Sequence, residues 1–148
     1  MSATSASSAM TGLEQLQTLL ASSKRAGIGE SLQFNLVMIE PGLAVFESLP
    51  GLYAYNPIGI VHGGYAATLL DSACGCAVHA SLSATQSYST LELKVSYHKA
   101  ITKDSGIVRA EGKVISLGRR VAFSEAKLID ASGKLLASAT STLLVFDK

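Results

Sequence analysis

The amide of Asn56, the run His62-Gly63-Gly64 and the carboxylate of Asp71 share one stretch, NPIGIVHGGYAATLLDSACG (56–75), that is otherwise apolar or small. Asp71 is the one charged residue between Glu47 and Glu92, in a chain whose charged fraction is 16%. Taking an unpaired carboxylate out of water costs on the order of several kcal/mol even after relaxation, so the sequence must either compensate this acid or use it.

The residue types point to acyl transfer. Glycines at the start of a helix let another backbone or a ligand approach the first turn, whose N–H groups have no intrahelical partner. With the helix dipole, those amides favour negative charge, including the oxyanion that a carbonyl becomes in a transition state. A tight turn needed for packing explains the two glycines as well, but it does not explain the acid. A carboxylate beside an oxyanion site has two uses, as general base on a water or as a nucleophile that forms an anhydride. Neither needs a serine or cysteine, and Gly-x-Ser-x-Gly is absent. Cys74 stands about one turn beyond Asp71 but lacks the nearby histidine that would activate a thiol.

Spacing limits how these groups meet. Asp71 follows Gly63 by a helical rise of roughly 12 Å, too far for one carbonyl group to touch both in a single chain. Either the two features are unrelated, or a second copy brings its Asp71 to this chain's glycine amides, which requires an obligate dimer with two composite sites. His62 and Asp71 fall on opposite sides of the helix, which excludes a His-Asp dyad within one chain.

The positioning elements follow from periodicity. Leu13, Leu16, Leu19 and Leu20 give an amphipathic helix over 12–22, and Gly27 and Gly29 end that region. Segments 34–40 and 43–49 alternate with period two around Pro41-Gly42, a hairpin, and a short strand is expected near 52–55. From Gly63 to about His79 the sequence is apolar on nearly every side, a core helix that something must wrap. Strands over 89–98, 106–116, 121–130 and 134–146 supply the wrapping. In the first of these, Leu91, Leu93, Val95 and Tyr97 share one face. The plan is α+β, an antiparallel sheet wrapped around one long central helix.

Composition narrows the class. The 148 residues suit one domain over 12–148 behind a low-complexity, disordered tail, MSATSASSAMT (1–11). The net charge of +1 gives no field for nucleic acid or a membrane surface. No run approaches the roughly 18 apolar residues of a membrane span, and the start lacks an export signal, so a cytoplasmic protein is expected. Cys74 and Cys76 point to opposite sides of a helix, and His62, His79 and His98 do not cluster, so neither a disulfide nor a metal site is expected.

Asn56, the HGG run and an acid nine residues after its histidine, in this order of elements, resemble the hotdog-fold acyl-CoA thioesterases. The PaaI-type branch, linked to phenylacetate degradation, is the nearest in pattern. The likeness spans about 27–146 and includes YSTLELKVSY and GKVISLGRRVAFSEAKLID. It implies that the Gly63 amide and the Asn56 side chain polarise a thioester carbonyl, that His62 shapes the loop, and that Gly64 borders the substrate. It further implies that Asp71 of the opposite subunit activates or replaces the attacking water. A hydroxyl on the following strand positions that water: matching to the family pattern favours Thr90, whereas strand parity favours Ser89, on the helix-facing side with Leu91. Arg119 and Arg120, with Lys99 and Lys103 behind them, are the candidates for the phosphates of coenzyme A, since a guanidinium pair suits phosphate geometry, although a solvated turn is the alternative. Coenzyme A enters as part of the substrate and no cofactor is implied. The resemblance also implies a homodimer with shared sites, assembled into a homotetramer. Two other readings stand beside hydrolysis: a hotdog hydratase or dehydratase, and a non-catalytic acyl-CoA-binding module. Tyr53, Tyr55, Tyr65 and Leu69 are candidates for an acyl or aryl pocket, with core packing the alternative.

Overall fold

The computed structural model describes residues 9–148, so most of the expected tail, residues 1–8, lies outside the described residues. In chain order the elements are helix α1 (Gly12–Ser22), helix α2 (Ile28–Leu32), strands β1 (Phe34–Glu40) and β2 (Leu43–Ser48), helix α3 (Gly63–His79), and strands β3 (Gln86–Tyr97), β4 (Val108–Leu117), β5 (Val121–Ile129) and β6 (Leu135–Asp147). The strands form one sheet in the order β1-β2-β4-β5-β6-β3, and every neighbouring pair is antiparallel. Helix α3 lies across one face and touches all six strands. This is the wrapped-helix α+β plan expected from the sequence. No helix among the described residues is long and apolar enough to cross a membrane.

Local chemistry explains most of the elements. Helix α1 begins with a capping box: Thr11 Oγ1 accepts from the Glu14 N–H at 3.2 Å, and the Thr11 N–H donates to Glu14 Oε1 at 3.1 Å. Its Leu16 is buried in the core. The β1–β2 turn places Gly42 at φ 74° after Pro41, the pair that a type II turn demands.

Two expectations are corrected here. Gly27 does not end the helical region but starts α2, taking φ 38° so that its carbonyl accepts from the Glu30 N–H. Residues Leu52–Ala54 form a 3-10 turn instead of a strand. Bonds from the Ala54 N–H to Gly51 O and from the Tyr55 N–H to Leu52 O satisfy that backbone locally, and Tyr55 keeps only a single bridge to Val61.

The core forms where α3 meets the sheet. Leu69, Leu70, Ala73, Cys74, Ala77 and Val78 are fully buried. The helix backbone rests directly on β4 at Gly112, where a Cβ would come within 2.3 Å of the Ala73 carbonyl oxygen. The sheet does not cover every side of α3. Gly64, Ala67, Thr68, Asp71 and Ser72 form a stripe on its far side that a single chain leaves partly open. The sheet wraps one side of the helix only, and the only charged residue of the stretch sits in the gap.

Strand β3 carries a further correction. Its register with β6 slips between Thr90 and Glu92, so Leu91 is the extra residue of a bulge and is 59% exposed. A bulge reverses the alternation. Thr90 therefore faces the helix, opposite buried Leu143, while Ser89 points to the outer face. The parity that placed Ser89 beside the helix assumed an unbroken strand.

Candidate active site

The loop leading into α3 is tightly tied. Asn56 Oδ1 accepts from the Ile58 N–H at 3.1 Å and the Ile60 N–H at 3.2 Å, and the Asn56 N–H donates to Ile60 O at 2.8 Å. The acceptor half of this side chain therefore holds the turn, which leaves the Nδ2 donor half for another partner. The Val61 N–H donates to Ile101 O and the His62 N–H to Ala54 O, pinning the loop to its surroundings.

His62 is the N-cap of α3, and its Nδ1 accepts from the Gly64 N–H at 2.7 Å. That bond requires a neutral ring with its proton on Nε2. The His62 carbonyl accepts from the Tyr65 N–H at 3.0 Å, and so points into the helix. In a trans peptide the carbonyl and the N–H point in opposite directions, so the Gly63 N–H points out of the helix mouth. Among the described residues nothing accepts from it. Both glycines also have a packing reason. A Cβ on Gly63 would lie 3.0 Å from the Tyr97 hydroxyl, and one on Gly64 would lie 2.9 Å from His62 Nδ1. Tight packing and an open amide, set against each other in the sequence reading, occur here together.

Asp71 lies part-buried on the open stripe of α3. Thr90 Oγ1 donates to Asp71 Oδ1 at 3.0 Å, and no ion pair among the described residues involves this acid. A carboxylate held on one oxygen and unpaired on the other is oriented but available. Tyr88 lies beside it, its ring against Gly75. Burial raises the pKa of its phenol, with Cys76 and Asp71 adding to the effect.

The helix mouth and Asp71 stand apart within one chain. Tyr97, at the helix mouth, pairs with Ala137 on β6, whereas Thr90, beside Asp71, pairs with Leu143. A cavity of about 360 Å³ opens at the mouth, bordered by Asn56, His62, Gly63, Tyr97, Lys99 and Ile101. A larger one, about 560 Å³, lies on the outer face of the sheet among Lys94, Glu111, Lys113, Glu125 and Lys127. Most of those charges are already paired with one another, and the cavity borders neither Asp71 nor the mouth.

Arg119 and Arg120 form the exposed β4–β5 turn, where the Val145 N–H donates to Arg120 O at 2.7 Å. They therefore lie toward the Asp71 end of the sheet, roughly 26 Å along β6 from Ala137 and the mouth. Lys99 borders the mouth cavity and pairs with Asp130 at 3.4 Å, while Lys103 is exposed in the 3-10 turn Lys103–Ser105. Burial pushes the Cys74 thiol up to about 11 and the Cys76 thiol up to about 12, so both stay protonated, and poorly nucleophilic, near neutral pH. Tyr65 is buried and bonded to Ser48, and so belongs to the core.

Sequence reasoning missed Tyr97, whose hydroxyl donates to the Gly63 carbonyl at 2.6 Å. By alternation alone Tyr97 is one more position on the inward face of β3. The available signal was a lone phenol ending a face made of Leu93 and Val95.

Comparison with known proteins bears on family and fold. The sequence model of the thioesterase superfamily matches residues 58–137, more than half of the chain, from the loop before the mouth to β6. The chain is 26% identical over 122 residues to a 1,4-dihydroxy-2-naphthoyl-CoA hydrolase of Listeria monocytogenes, which covers 82% of this chain and 98% of that protein. A conserved protein of Pseudomonas aeruginosa superposes with a TM-score of 0.77 at 27% identity, over 82% of this chain and 95% of its own. A thioesterase family protein of Silicibacter pomeroyi shares the fold, with a TM-score of 0.80 at 22% identity over 90% of this chain and 98% of its own.

Proposed function

The chain belongs to the thioesterase superfamily, with the hotdog fold and the activity of a thioester hydrolase, and from that premise we propose that it hydrolyses acyl-CoA thioesters in two composite sites of a homodimer. The observation that carries this reading is Asp71: an acid held by Thr90, free of any ion pair among the described residues, on the one open stripe of a helix whose mouth presents an unpartnered Gly63 amide.

In this proposal the thioester carbonyl lies at the mouth of one protomer, where the Gly63 N–H and Asn56 Nδ2 donate to its oxygen. The partner's Asp71 takes a proton from a water as that water attacks the carbonyl carbon. The resulting oxyanion is stabilised by the two donors. On collapse the carbon–sulfur bond breaks, and the thiolate of coenzyme A recovers the proton from the carboxylic acid. In the nucleophilic variant Asp71 attacks directly, coenzyme A departs, and water then hydrolyses the mixed anhydride. Thr90, through its bond to Oδ1, turns the other carboxylate oxygen toward the reaction in either case.

Arg119 and Arg120, brought in with the partner's acid, are the proposed contacts for the phosphates of coenzyme A. The HGG pattern supports the PaaI-type branch, and a tetramer is the proposed assembly of two such dimers. The activity named for the Listeria relative gives a reason to test aromatic acyl groups beside aliphatic ones.

The test is free-thiol release from a panel of aliphatic and aromatic acyl-CoAs. We expect turnover, and a fall of at least about 100-fold in Asp71→Asn with folding and dimerisation intact. Activity near wild type in that variant removes Asp71 from the mechanism. Enoyl-CoA hydration without thiol release favours a hydratase, and saturable binding with neither reaction favours a binding module. Label in the Asp71 carboxylate after a single turnover in ¹⁸O-water identifies the nucleophilic route with water attacking the aspartyl carbon of the anhydride, since general-base catalysis labels only the released acid.

A further inference from the structure

The peptide that joins Gly63 to Gly64 is held at both ends. Its carbonyl oxygen accepts from the Tyr97 hydroxyl at 2.6 Å, and its N–H donates to His62 Nδ1 at 2.7 Å. Such anchoring is needed because two consecutive glycines make the most pliable dipeptide a chain can contain. A peptide unit is a rigid plane, so fixing both of its ends leaves the flanking glycine torsions little freedom. The neighbouring plane, from His62 to Gly63, is held only through the His62 carbonyl and is the one that carries the outward Gly63 N–H. The Tyr97 ring also packs against Gly63, its Cζ lying 3.1 Å from where a Cβ would be. The phenol is 56% exposed in the single chain, so what ties it to the peptide is the ring's contact with Gly63 together with the hydrogen bond of its hydroxyl.

We propose that Tyr97 is a positioning residue for the hydrolysis proposed above: with His62 it clamps the Gly63–Gly64 peptide, and so aims the Gly63 N–H at the point where the thioester oxygen becomes negative. The inference rests on that reading of the site. It adds a side chain at the rim of the mouth cavity whose role is exerted through the donor that it aims. A donor that is misdirected, rather than removed, loses part of its transition-state stabilisation and little ground-state binding.

The experiment compares wild type with Tyr97→Phe, which keeps the ring against Gly63 and removes only the hydroxyl. With an acyl-CoA that the wild type hydrolyses, we expect kcat to fall about 10- to 100-fold, KM to change less than about threefold, and the thermal midpoint to stay put. Without substrate, ¹⁵N relaxation should show the Gly63 amide order parameter falling from about 0.85 toward 0.6. Wild-type kcat in Tyr97→Phe, an unchanged Gly63 order parameter, or a rise in KM alone each overturns the proposal. Failure of the hydrolase reading shows separately, as no thiol release by the wild type or full activity in Asp71→Asn. In that event the relaxation data still decide whether the clamp exists.

Discussion

At the scale of single residues, the proposed chemistry depends on which hydroxyl faces Asp71. Thr90 donates to the carboxylate, and Ser89 points to the outer face one residue away. Thr90→Val keeps the shape and removes the donor. A hydrogen bond to a charged group is worth about 1.5–3 kcal/mol, so kcat for thiol release should fall about 10- to 100-fold. Ser89→Ala should stay within about twofold of wild type. Equal losses in both variants would mean that the bulge does not set the active hydroxyl. The sequence already contained the acid, the amide and the glycines. It did not contain the slip at Leu91, because an extra residue in a strand leaves no mark on composition or spacing.

At the scale of elements, helix α3 is held by the closeness of its backbone to β4. Gly112→Ala would drive a Cβ into the Ala73 carbonyl, which is backbone and cannot rotate away. Overpacking of this kind costs about 1–3 kcal/mol, and the thermal midpoint should fall by several degrees. An unchanged midpoint would show that the helix lies farther from the strand. The β5–β6 turn offers a test by pH. Asp130 Oδ1 accepts from Ser132 Oγ at 2.7 Å and from the Ser132 and Lys134 N–H groups at 2.9 Å. These bonds, the Ser132 hydroxyl first and then the backbone, hold its carboxyl well below the usual 3.8. A depressed pKa means that the stabilisation is present above about 3.8 and is lost as pH falls below it. Wild type should therefore melt higher than Asp130→Asn near neutral pH, and the gap should narrow below pH ~4. A gap independent of pH would remove the charge from the explanation.

At the scale of the whole molecule, one chain carries the Gly63 mouth and Asp71 apart from each other along an open helical stripe. The proposed dimer closes each half with the other's complement, which mixed dimers can test. Asn56→Asp keeps the acceptor that the Ile58 and Ile60 amides need and removes the outward donor; Asp71→Asn disables the other half. Each variant alone should be nearly inactive. Co-expressed, they should regain about a quarter of wild-type thiol release, because half the dimers are mixed and each of those carries one intact site. No recovery in purified mixed dimers would place both halves within one chain.

What the sequence determined by itself was the order of the main strands and the central helix, and the residue types of the proposed site. Period-two alternation, one long apolar helix and the Pro41-Gly42 turn depend on neighbours a few residues apart, and a linear string records such neighbours. The isolation of Asp71 is likewise a fact of order along the chain. Only tertiary structure decided that the bulge turns Thr90 inward, that Tyr97 reaches from β3 to Gly63 at the start of α3, and that one stripe of α3 stays open. Those outcomes depend on strand register and on contacts between residues far apart in sequence, where a shift of a single position reverses which side chain meets the helix.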